Sequence, residues 1–126
     1  MKAILLSIKP EYVEKILDGT KKFEYRKRLA KAKSSTILIY STSPVMKVVG
    51  KAEITGTVSD NPSALWEKTK DNAGITKRKY GEYFQGCKSA YAYKLGEIEV
   101  FDVPKSLSDF NISLAPQSFT YVDLDY

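Results

Sequence analysis

Between Val45 and Val58 the residues alternate with a period of two: Ala52, Ile54, Gly56 and Val58 fall on one side, Lys51, Glu53, Thr55 and Thr57 on the other. Successive side chains of an extended chain point to opposite faces, so this alternation marks a long, half-buried strand. Gly50 predicts a bulge or tight bend near its start, and a long strand so interrupted curves. The other extended segments are shorter. Ala3 to Ile8 is an apolar run of buried-strand length, ended by Lys9-Pro10. Lys22 to Arg28 alternates, and Thr36 to Thr42 is β-rich and stops at Ser43-Pro44. Lys88 to Phe101 sets Tyr91, Tyr93 and Leu95 against Ala90 and Ala92, with a bend at Gly96-Glu97, and Ser118 to Val122 offers a last short strand.

Helical segments sit between these strands. Pro10 suits a first helical turn, where its missing N–H is not needed, and Val13, Ile16 and Leu17 recur on one apolar stripe. Asp18-Gly19 closes that helix, with Gly19 as the left-handed cap. Asp60-Asn61-Pro62 breaks the long strand and opens a helix to Lys70 that carries Leu65 and Trp66. Asn72-Ala73-Gly74 reads as a loop, and Thr76 caps a further short helix that reaches Phe84 and ends at Gly86. Leu29 to Ser35 is a polar connection, and Pro104 to Pro116 is irregular. About five to six strands with two to three inserted helices predict an α+β domain built on a small mixed β-barrel. A chain of 126 residues with 43% hydrophobic content fits one such domain over 1–126.

Composition removes whole classes of chemistry. Histidine is absent and Cys87 is the single cysteine. Ser-His-Asp triads, Cys-His pairs and His/Cys zinc sites each need an imidazole or several thiolates, so none is expected, nor is any metal or cofactor. Cys87 reads as a small buried filler. Neither GxGxxG nor GxxxxGK[ST] occurs, which disfavours dinucleotide and P-loop folds. No apolar run approaches the length of a membrane span, and the apolar start is too soon interrupted by Lys9 for a signal peptide. With one cysteine, a reducing, cytoplasmic location is the expectation.

The formal charge of +5 is unevenly spread. Lys21, Lys22, Arg26, Lys27, Arg28, Lys31 and Lys33 face one acid, Glu24, within a short segment, whereas Glu97, Glu99, Asp102, Asp109, Asp123 and Asp125 oppose Lys105 alone. Concentrated basic charge predicts a polyanionic partner. Within the segment, Phe23 and Tyr25 fall on one strand face and Glu24, Arg26 and Arg28 on the other. Arginine forks suit phosphate oxygens or a guanine edge, lysines act as point charges, and Glu24 either holds Lys21 or Arg26 in place or accepts from a base. Tyr25, Tyr40, Tyr91, Tyr93 and Trp66 could stack bases, although an alternating Tyr-Ala strand more often fills a barrel. Ser41, Thr42 and Ser43 form a polar turn able to meet phosphate or simply to end a strand. Lys77-Arg78-Lys79 is a second basic cluster, either an extended footprint or a solvated helix face.

Ser7-Ile8-Lys9-Pro10-Glu11-Tyr12, followed by Gly19-Thr20-Lys21-Lys22-Phe23-Glu24-Tyr25-Arg26, resembles the ASCH family, whose pattern GxKxxExR is matched at Gly19, Lys21, Glu24 and Arg26. The likeness continues through Ile39 to Pro44 with Val49-Gly50, Tyr80 to Phe84 and Ala115 to Phe119. It implies a PUA-like β-barrel with a cleft that binds RNA or a nucleotide-like ligand, with Lys21, Lys22, Glu24, Arg26, Arg28, Ser41, Thr42 and Ser43 as candidate contacts. A place in RNA metabolism or in regulating transcription or translation would follow.

Two alternatives stand beside this reading. Some ASCH-like proteins are hydrolases, either ribonucleases or modified-nucleoside amidohydrolases, and Lys21 and Glu24 are the candidate catalytic residues. The amidohydrolase pattern resembles this chain at Gly19 and Lys21, but Glu24 replaces its threonine, and Asp71-Asn72-Ala73-Gly74 stands where its distal glutamate is expected. Glu67 or Asp71 is the candidate substitute. The other alternative is a protein-interaction module whose basic strand meets an acidic partner.

Overall fold

The computed structural model describes residues 2–31 and 33–124. Six strands form one sheet: β1 (Lys2–Ile8), β2 (Phe23–Arg26), β3 (Thr36–Ser41), β4 (Lys47–Asp60), β5 (Ala90–Lys105) and β6 (Phe119–Asp123), in the order β2-β5-β4-β3-β1-β6. β1 and β3 are parallel, and every other neighbouring pair is antiparallel. Three α-helices are inserted: α1 (Pro10–Leu17), α2 (Pro62–Thr69) and α3 (Lys77–Tyr83), with short 3-10 turns at Lys70–Asn72 and Leu107–Phe110. None of the described helices is long and apolar enough to cross a membrane.

β1 is apolar along its length because it is buried on both faces. Ile4, Leu6 and Ile8 pack with Val13 and Ile16 of α1, while Ala3 and Leu5 pack on the opposite face with Tyr40, Val48 and Val122. β3 divides in the same way, Ile37 and Ile39 to one face and Leu38 and Tyr40 to the other. A third cluster joins Tyr25 of β2 and Ala90 and Ala92 of β5 to Leu65, Tyr80 and Phe84 of α2 and α3. The alanines leave room on β5 for these larger groups. Thus most of the tyrosines that could have stacked bases, Tyr25, Tyr40 and Tyr93, are buried.

The helix and turn signals act as their chemistry dictates. Gly19 has φ +86° and Gly86 φ +81°, and Thr76 accepts from the Lys79 N–H at the start of α3. Asn61 caps α2 by accepting from Ala64 N–H. β4 carries a bulge: Ile39 pairs with Gly50 but Tyr40 with Val48, leaving Val49 unmatched. A Cβ at Gly50 would lie 2.5 Å from the Glu99 carbonyl oxygen, so the strands approach where only glycine fits. β4 continues beyond Val58 to Asp60 and β5 beyond Phe101 to Lys105.

The expected barrel does not close. β2 and β6 are the two edges of the sheet. β2 has four residues, all paired with β5 along one edge, and no backbone ladder among the described residues links its other edge to β1 or β6. The Arg26 side chain crosses the gap instead, donating to Ser7 O at 2.9 Å and Ser118 Oγ at 3.2 Å.

Candidate nucleic-acid interface

Where the sheet fails to close, a cleft of about 1100 Å³ opens between β2, the end of β1, the start of β6, α1 and α3. Its floor is made by the segment that follows α1. Once Gly19 has turned the chain, the Lys21 N–H donates to Lys15 O and the Lys22 N–H to Asn72 O, and β2 begins. Lys21 therefore enters the protein rather than solvent and is 3% exposed. Its ammonium donates to Ala73 O at 2.7 Å and lies 4.8 Å from the Tyr25 ring centroid and 5.3 Å from that of Tyr12. Gly74, at φ +62°, packs directly on the lysine stem. Burial lowers the Lys21 pKa to about 8, against the opposing pull of the Glu24 carboxylate.

Glu24 is 6% exposed, and its Oε2 accepts from Arg26 Nε at 3.1 Å and Nη2 at 2.8 Å. The two residues share a face because they are two apart on a strand. Ser7 is fixed in turn: its Oγ donates to Pro116 O, and its N–H to Ser118 O. Beneath them, Thr69 Oγ1 donates to Leu65 O, so the 2.6 Å contact between Tyr25 Oη and Thr69 Oγ1 has the tyrosine as donor. Burial raises the Tyr25 pKa to about 12 and keeps the phenol neutral.

The rim is charged and exposed. Lys9, Lys27 and Arg28 border the cleft, and the Lys27 ammonium lies 5.0 Å from the Tyr83 ring centroid. Lys79 also lines the cleft but pairs with Glu11 at 3.1 Å, tying α3 to α1. Arg78 pairs with Glu82 on α3, and Lys77 is exposed.

Of the candidate contacts, Lys21, Glu24, Arg26, Arg28 and Thr42 line this one cleft. Lys22, Ser41 and Ser43 do not: Lys22 and Ser43 are exposed elsewhere, and Ser41 is 2% exposed within β3. The candidate carboxylates Glu67 and Asp71 also lie outside it, Glu67 being paired with exposed Lys70. Cys87 is half-buried against the cluster around Tyr80 and Phe84. Charge and alternation alone did not identify Ser7, Tyr12, Gly74 or Ser118 as parts of the site. Ser7, Tyr12 and Ser118 do fall within the stretches that carry the family resemblance, whereas the contact of Gly74 with Lys21 has no local signal.

The ASCH domain family model matches residues 6–106. The chain belongs to the ASCH family. An ASCH domain-containing ribonuclease of Zymomonas mobilis is 34% identical over 95 residues, covering 75% of this chain and 64% of that protein. The chain is also 32% identical over 120 residues to a protein named ATP synthase subunit alpha in Ureaplasma parvum, covering 94% of this chain and 15% of that one. It thus spans less than two thirds of either relative. A crystal structure of an ASCH protein from Zymomonas mobilis superposes with a TM-score of 0.87 at 29% identity, covering 96% of this chain and 87% of that one. The ASCH fold here is accordingly a mixed α+β sheet with three helices, open at the cleft.

Proposed function

We propose that this ASCH domain binds single-stranded RNA or a nucleotide-like ligand in the cleft lined by Lys21, Glu24, Arg26, Arg28 and Thr42. The observation that carries the reading is the layering of the cleft, an exposed cationic rim above a buried floor of paired polar groups. Rim cations attract a phosphate backbone irrespective of sequence, and a ligand that reaches the floor meets groups able to read it. The kinship with an ASCH domain-containing ribonuclease supports RNA as the ligand class.

Fluorescence titration of labelled single-stranded RNA tests it. Affinity should fall as salt rises, Arg28→Ala should reduce the salt slope, and Lys21→Ala should weaken binding further. Salt-insensitive binding, unchanged in both variants, overturns the proposal.

The lowered pKa of Lys21 favours a second reading, hydrolysis of the bound RNA or of an acylated nucleoside. A lysine near pKa 8 holds about a tenth of its amine neutral at pH 7, enough to act as a base or nucleophile. Incubation with RNA and with acylated cytidine, beside a Lys21→Ala control, decides it: product that depends on Lys21 establishes the enzyme, and its absence removes it.

A further inference from the structure

The motif residues are not equally free to meet a ligand. All three guanidinium nitrogens of Arg26 are engaged within the protein, by Glu24, Ser7 and Ser118. Its Nε, both Nη2 hydrogens and one of the two Nη1 hydrogens go to orienting a carboxylate and spanning the sheet gap. Glu24, by contrast, has Oε2 occupied while Oε1 accepts no hydrogen bond from any described residue, although the side chain is more than nine-tenths buried and lines the cleft. Lys21 uses one N–H on Ala73 O, and it forms no ion pair with Glu24 within 4.0 Å although the two attract each other. The floor therefore presents a fixed acceptor and a fixed cationic donor that do not satisfy one another.

A phosphate cannot use that pair. Its oxygens would face the buried carboxylate, and a buried like-charge contact opposes binding. A group that offers an N–H to Glu24 and a lone pair to Lys21 satisfies both, and an uncharged nucleobase carries such neighbouring atoms on its pairing edge. We infer that the floor between Lys21 and Glu24 is a subsite for the hydrogen-bonding edge of a neutral nucleobase, with Arg26 as a positioning residue and phosphate held outside at Lys27 and Arg28. The inference rests on the RNA-binding reading and sharpens it, since specificity then resides in Glu24 and salt dependence in the rim.

Uridine and N3-methyluridine provide the test, because methylation removes the one N–H of the edge and keeps both carbonyls. Each nucleoside, and separately inorganic phosphate, is titrated into the full chain and followed by backbone amide chemical shifts. Uridine should perturb the Lys21–Tyr25 segment, N3-methyluridine should bind at least about tenfold more weakly, as for one lost hydrogen bond to a charged acceptor, and phosphate should perturb only the rim. In Glu24→Met, which keeps the length of the side chain but offers no strong acceptor, the discrimination should collapse. Discrimination that survives in Glu24→Met would be steric and overturns the inference, as does equal binding of both nucleosides or phosphate shifts at the floor. If RNA binding fails while discrimination persists, the RNA reading falls and the subsite stands; the converse removes the subsite alone.

Discussion

Arg26 donates through Nε and Nη2 to a single oxygen of Glu24, at 3.1 and 2.8 Å, with side chains only 11% and 8% exposed. Removing one partner of a buried pair leaves an uncompensated charge, which costs more than losing the pair together. Arg26→Gln should therefore destabilise the domain by about 3–5 kcal/mol. The double variant Arg26→Gln/Glu24→Gln should lose less than the two single variants summed. Urea denaturation of the four proteins measures the coupling. Arg26→Lys should not rescue stability, because one ammonium cannot reach Glu24, Ser7 and Ser118 together.

Lys21 should give stability and the proposed RNA binding opposite responses to pH. Its pKa falls from 10.5 in the free side chain to about 8 in the fold, so between those values the unfolded chain holds the proton that the folded one has lost. Stability should rise with pH from about 8 toward 10, by up to about 3 kcal/mol. Above pH 10 the gain reverses, because burial raises the Tyr25 and Tyr80 phenols to about 12 and the unfolded chain ionises its tyrosines first. RNA affinity should instead decline from pH 7 to 9 as the ammonium disappears. Urea midpoints and RNA titrations at pH 7, 8, 9 and 10 check both signs, and Lys21→Met should flatten both curves below pH 10.

The contrast between Lys21 and Glu24 shows what local sequence encodes. Glu24 and Arg26 were legible as partners because strand alternation alone puts them on one face, and Gly19 was legible as a cap because its left-handed turn is a local demand. The burial of Lys21 was not, since the residues that cover it, Ala73 and Gly74, come from a loop far along the chain, and charge alone does not distinguish it from exposed Lys22; only the family pattern singles it out. Barrel closure failed for a related reason. Strand count and curvature favour a closed sheet, but closure is a relation between edges, and the outer edge of four-residue β2 makes no ladder with β1 or β6. A side chain, Arg26, spans that gap instead, and the opening is the cleft.

Two glycines of the same region should respond with opposite sign to alanine. Gly74 sits at φ +62° with its Cβ position against the Cβ and Cγ of Lys21. Gly74→Ala should cost about 1–2 kcal/mol for the left-handed backbone alone, with more from that contact. It should also weaken RNA binding by displacing the amine from Ala73 O. Gly81 lies within α3 with nothing within 4 Å of a Cβ, so Gly81→Ala should stabilise by about 0.8–1 kcal/mol and leave binding unchanged. Thermal or urea denaturation beside RNA titration reads both.

The buried hydroxyl chain from Tyr25 to Thr69 to Leu65 predicts an asymmetry between two conservative substitutions. Tyr25→Phe removes the donor at the head of the chain, and Thr69 Oγ1 keeps its bond to Leu65 O, so nothing buried is left without a partner. The loss should be about 1 kcal/mol, the net worth of one hydrogen bond. Thr69→Val preserves the shape of the side chain but removes the acceptor for a phenol that burial holds neutral. Tyr25 then keeps a desolvated O–H with no partner, at a cost of about 1–3 kcal/mol. Thr69→Val should thus be the more destabilising of the two in urea denaturation. Tyr25→Phe should remove one phenol from the ultraviolet titration above pH 10 and Thr69→Val should keep it, so that the titration distinguishes a missing acceptor from a missing ring hydroxyl. Equal losses in the two variants would mean that the tyrosine finds another acceptor within the cluster of Tyr80 and Phe84.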